Sequence, residues 1–93
     1  MSAACPAFGF ELVLRSTPGL DAAGRRALED ALAATVASHG LSAARTGGRY
    51  VITRDGGQAI DADRDVLRAW AAGRPEVAAA TVGPLVDLHE VAI

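Results

Sequence analysis

The residues best suited to acid–base chemistry gather near the end of the chain, at Asp87, His89 and Glu90. Asp87 and His89 stand two apart, so on a strand they share a face. Glu11, on an early apolar-alternating segment, can neighbour them if the first and last strands pair. A histidine beside a carboxylate is the minimum set for moving a proton. It is also an ordinary solvated strand surface, and no nucleophile with an adjacent base accompanies it. No catalytic residue is therefore assigned, and the chain is expected not to be an enzyme.

Metal chemistry is weaker still. Asp61-x-Asp63-x-Asp65 has the alternating carboxylates of a calcium loop. Such a loop needs glycine at its sixth position and glutamate at its twelfth, where this chain has Val66 and Ala72. The start of a helix explains the aspartates more simply, because carboxylates stabilise its positive end. His39 and His89 have no ligand partners at useful spacing. Neither a metal nor a cofactor is expected. Gly47-Gly48 and Gly56-Gly57 lack the lysine and the spacing of phosphate-cradling loops and read as turns.

Binding chemistry is better represented. Arg45, Arg49 and Arg54 lie close together around Gly47-Gly48. Guanidinium forks match phosphate oxygens, so these three are the nucleic-acid contact candidates. The competing account is a solvated hairpin edge whose charges discourage strand pairing. Trp70 shares a helical stripe with Val66 and Leu67, which makes it core; exposed, it is an anchor for a partner. Glu11, Arg15, Asp87, His89 and Trp70 are the candidates for a partner surface. Cys5 has no charged neighbour to activate it and is read as inert.

These side chains hang on a legible order of elements. Phe8 to Arg15 alternates, with Phe8, Phe10, Leu12 and Leu14 on one face and Glu11, Val13 and Arg15 on the other. That period of two predicts a strand with one buried face. Pro18-Gly19 is a turn, Asp21 an N-cap, and Leu28, Leu32 and Val36 the stripe of a helix closed by Gly40. Two short alternating runs flank Gly47-Gly48 and predict a hairpin. Asp61 should cap a second helix, which Gly73 and Pro75 end. A last strand spans Thr81 to Val91, interrupted at Gly83-Pro84. Gly24, inside the first helix, is expected to permit close approach to the sheet.

The implied fold is α+β, a ferredoxin-like βαββαβ unit with a four-stranded antiparallel sheet and two helices on one face. Residues 1–7 are read as a tail and 8–93 as one domain, since 93 residues hold one core. All nine basic residues are arginine and asparagine is absent, the bias of G+C-rich coding. Net charge is −2, so no global field attracts polyanions or anionic membrane. One cysteine allows no internal disulfide, and no secretory signal or membrane span is evident. A cytoplasmic protein is expected.

Taken together, Phe8-Gly-Phe10, Gly19-Leu-Asp21, Gly47-Gly48, Leu67-Arg-Ala-Trp70 and Val82-Gly-Pro-Leu-Val-Asp87 resemble the YggL family. These are small bacterial proteins associated with the large (50S) ribosomal subunit. The resemblance runs from about Ala7 to His89, and its most specific part is the Trp70 helix followed by Val82 to Asp87. It implies a non-enzymatic protein whose partner is the large subunit. Two departures stand out. Family members carry a basic extension before the first strand, whereas this chain begins almost directly with that strand. His89 also stands where an aromatic is common. The alternative from a different class is a ferredoxin-like regulatory or small-molecule-sensing homodimer, pairing through an apolar sheet face at Val13, Val51 and Val91.

Overall fold

The computed structural model describes residues 8–87. In chain order, β1 spans Phe8–Ser16, α1 Ala22–Ser38, β2 Leu41–Thr46 and β3 Arg49–Arg54; α2 follows at Asp61–Ala72, then β4 at Val77–Val82 and β5 at Val86–Asp87. Among the described residues this is α+β, with two helices and five strands. The strands run in the order β2-β3-β1-β4, every pairing antiparallel, and β5 also pairs with β1.

Alternation along β1 does what its pattern dictates. Phe10 and Leu12 are fully buried and Leu14 partly so, while Glu11, Val13 and Arg15 are exposed. Direct cross-strand partners share a face, so the pairing of Phe10 with Ile52 and of Leu12 with Tyr50 and Val82 defines one apolar face. Leu32 and Val36 of α1 and Leu67 of α2 pack into one cluster with Phe10, Leu12, Leu41 and Ile52. Both helices therefore cover the same face of the sheet. Burying each such side chain stabilises the fold by about 1.5–3 kcal/mol. Among the described residues the other face carries no helix.

Local chemistry sets the element ends. Asp21 Oδ1 accepts a hydrogen bond from the Gly24 amide at 2.7 Å, the expected cap of α1. Gly40, with φ at +70°, turns the chain out of α1. Gly47 and Gly48 both adopt positive φ, 56° and 82°, as a two-residue primed turn demands.

Four expectations need correction. Asp61 does not cap α2: Ile60 holds the N-cap position, and its amide donates to Asp63 Oδ2 at 2.9 Å. Asp63 wins because it lies three residues on, where a side chain reaches back to the cap. Gly24 does not admit the sheet; a Cβ there would run into the Leu20 side chain, which folds over the start of α1. The last strand begins at Val77, not Thr81, because Ser16, Arg15 and Leu14 extend the ladder to Val77, Ala79 and Ala80. Finally, Gly83-Pro84-Leu85 divides that strand into two, giving a fifth strand. Proline has no N–H for a ladder and is tolerated on this edge, where the Gly83 amide still reaches Glu11 O at 2.8 Å.

Candidate functional site

The three hairpin arginines do not form one patch. Arg45 lies opposite Tyr50, on the helix-covered face, and its Nη1 donates to Glu29 of α1 at 2.6 Å. Arg49 points to the open face, where its Nε meets Glu11 at 2.9 Å. Arg54 returns to the helix side, and its Nε and Nη2 both engage the Asp63 carboxylate. Strand alternation separates neighbours in sequence onto opposite faces. Each arginine thus has its own carboxylate.

These pairs differ in kind. Arg45–Glu29 and Arg49–Glu11 are mostly exposed on both sides. Exposed pairs of this sort contribute about 0–1 kcal/mol and exchange readily. Arg54–Asp63 is a structural tie between β3 and α2, with the Asp63 side chain only 5% exposed. Burial pushes the Asp63 carboxyl up, but the Arg54 hydrogen bond, the Ile60 amide and the Arg54 charge outweigh it. The group ends below the usual carboxylate range. The Arg54 guanidinium is raised in turn, chiefly by that hydrogen bond.

Around Arg45 the phenol of Tyr50 is raised by burial and by the charge of Glu29. Leu14, Ser16, Arg25 and Gly48 complete a small cleft there, between the start of α1 and the hairpin turn. A separate shallow groove runs between α1 and β2, floored by Leu32, Val36, Leu41, Ala43 and Tyr50. Of the two carboxylates on its rim, Glu29 is taken by Arg45, and Asp55 accepts from the Ser42 hydroxyl.

The other predicted site residues are placed as follows. Glu11 and Arg15 lie on the open face, beside exposed Val13. Asp87 pairs with Phe8 in β5. His89 and Val91 lie outside the described residues. Trp70 is half-buried against the core cluster, and the Arg74 guanidinium sits 5.8 Å from its ring centroid. Arg74 is fixed there by a two-point bond to Glu76. The Glu76 carboxyl is lowered by its own backbone amide first, then by Arg74.

Sequence reading missed Arg64. Its Nε donates to Gly83 O at 2.7 Å and its Nη1 to Asp61 at 3.0 Å. The signal available was a carbonyl left without a ladder partner next to Pro84, which needs a donor from elsewhere. Among the described residues, no three His, Cys, Asp or Glu side chains gather as a metal site, and no helix is long and apolar enough to cross a membrane.

These features define a small α+β domain whose sheet is backed on one side by two helices and tied by arginine–carboxylate pairs. The chain belongs to the family described as YggL 50S ribosome-binding protein, whose sequence model matches residues 6–89, most of the chain. No curated protein and no solved structure matches it.

Proposed function

We propose that this protein is a non-enzymatic cytoplasmic protein that binds the large ribosomal subunit. The observation that carries the proposal is the family match across residues 6–89, since that family is described by its binding to the 50S subunit. The strand order supports a ferredoxin-like arrangement with a fifth strand added at the Gly83-Pro84 break.

The charged side chains agree with a binding role. Six arginines are paired with carboxylates: three of the pairs join separate elements, two lie within α2 and one lies just before β4, an arrangement that holds a shape rather than moves protons. Among the hairpin arginines, Arg45 and Arg49 stay exposed in exchangeable pairs and remain contact residues in this proposal. Arg54 is assigned to the architecture. Glu11 and Arg15 belong to the open face, Asp87 pairs with Phe8 at the end of β5, and Trp70 belongs to the α2 side. No observation favours the ligand-sensing homodimer.

Sedimentation of tagged protein in a sucrose gradient of its host's lysate tests the proposal. Co-migration with the large subunit, weakening as salt rises, is the expected result. Migration at the top of the gradient in both low and high salt overturns it.

A further inference from the structure

We infer that the end of the fold around the Gly47-Gly48 turn, through Arg15, Arg25 and Arg26, grips the phosphate backbone of ribosomal RNA. The inference rests on the large-subunit reading and names the surface and ligand chemistry it would use. Of the nine arginines, six have a carboxylate within ion-pair distance. Arg15, Arg25 and Arg26 are exposed and have no ion pair among the described residues. A paired guanidinium must give up its carboxylate to take a phosphate; an unpaired one need not. The free cations are thus the economical phosphate ligands.

Topology brings the three to one end. β1 runs antiparallel to β3, so its last residues lie beside the first residues of β3, at the hairpin turn. α1 starts at Ala22, seven residues beyond Arg15, at the same end. Arg25 lines the cleft shared by Ser16, Arg45 and Gly48, and Arg26 follows it on exposed helix surface. Arg15 projects on the open face, in register with Ala79, whose small side chain leaves it clear. Arg45 and Arg49 flank this set in exposed pairs.

The acids at this end are mostly engaged. Glu11 faces Arg49, Glu29 faces Arg45, and Asp21 caps α1. Asp30, four residues after Arg26, is the one exposed α1 carboxylate without an ion pair among the described residues. The opposite end of the fold carries Asp55, Asp61, Asp63 and Asp65 against Arg54 and Arg64. Charge is therefore separated along the molecule despite its net −2. A polyanion meets the hairpin end favourably and the α2 start unfavourably. RNA is favoured over a protein partner because, among the described residues, Val13 is the one exposed large hydrophobic near this end, while Phe8 and Ile60 lie away from it.

The test compares wild type with the triple variant Arg15→Ala/Arg25→Ala/Arg26→Ala in salt titrations on purified large subunits and on deproteinised large-subunit RNA. Circular dichroism and thermal melting confirm that the variant folds. The expected result is tight wild-type binding that falls with salt, and a triple variant whose log–log salt slope is shallower by about 2 to 3. An unchanged slope and affinity in the triple variant overturns the inference while leaving subunit binding intact. Salt-independent binding to subunits, with none to RNA, also overturns it and points to a protein contact. Wild type that binds RNA through these arginines but not subunits keeps this surface and refutes the large-subunit reading.

Discussion

Arg64 on α2 donates its Nε–H to the carbonyl of Gly83, 2.7 Å away in the break between β4 and β5. The bond joins α2 to the break that separates β4 from β5. Val66 and Trp70, from the same helix, pack on the core beside Val82 and Leu85, which flank the break. The Gly83-Pro84 interruption is therefore a docked feature: one hydrogen bond holds its amide to Glu11 and another holds its carbonyl to Arg64.

Replacing Arg64 with Ala leaves the Gly83 carbonyl without its charged donor. Stability is expected to fall by about 1 kcal/mol. Amide hydrogen exchange should quicken selectively at Val86 and Asp87, because β5 has only two residues pairing with β1. Uniform exchange change across the sheet would show that the bond has no local role.

Asp63 makes stability depend on acid. Its carboxyl is held below the ordinary range when folded, so its contribution is fully present above the unfolded value. That contribution is lost as pH falls through the folded value. Asp63→Asn should lower stability near neutral pH by about 2 kcal/mol, through loss of the cap and the charged bond. Melting curves from about pH 7 to about pH 3 should then be flatter in the variant than in wild type.

Gly48, at φ +82°, sits in the left-handed region with nothing near its missing Cβ. Gly48→Ala should cost about 1 kcal/mol through backbone strain alone. Gly48→Asn, a residue that tolerates this conformation, should recover part of it. Urea unfolding midpoints distinguish the three proteins, and equal losses for Ala and Asn would contradict a backbone origin.

Leu67 has no exposed surface and joins α2 to the sheet. Leu67→Ala should destabilise by about 2–5 kcal/mol, a large part of the total for a domain of this size. The single Trp70, three residues along on the same helix, reports the transition by fluorescence.

The sequence alone determined the first strand, the two helices and the hairpin, but not the bounds of β4 or the separate β5. Period two in Phe8 to Arg15 marked β1 and its buried Phe10 and Leu12, although Phe8 on the same face is exposed; Leu28, Leu32 and Val36 marked α1, and Gly47-Gly48 marked the hairpin turn. Each rests on interactions within a few residues, which is why local pattern suffices. The family resemblance was legible for the same reason, in short motifs at their spacing. Tertiary structure alone decided how the charges are used. Arg45, Arg49 and Arg54 look like one cluster in the chain, yet their partners Glu29, Glu11 and Asp63 come from 16, 38 and 9 residues away. Sheet alternation and helix placement select those partners, and Arg15, Arg25 and Arg26 are left over only once the pairs have formed. The pairs of Arg64, Arg68 and Arg74 are local, with carboxylates two or three residues away, but those of the hairpin arginines join separate elements, so local pattern does not record which of the remaining arginines stay free.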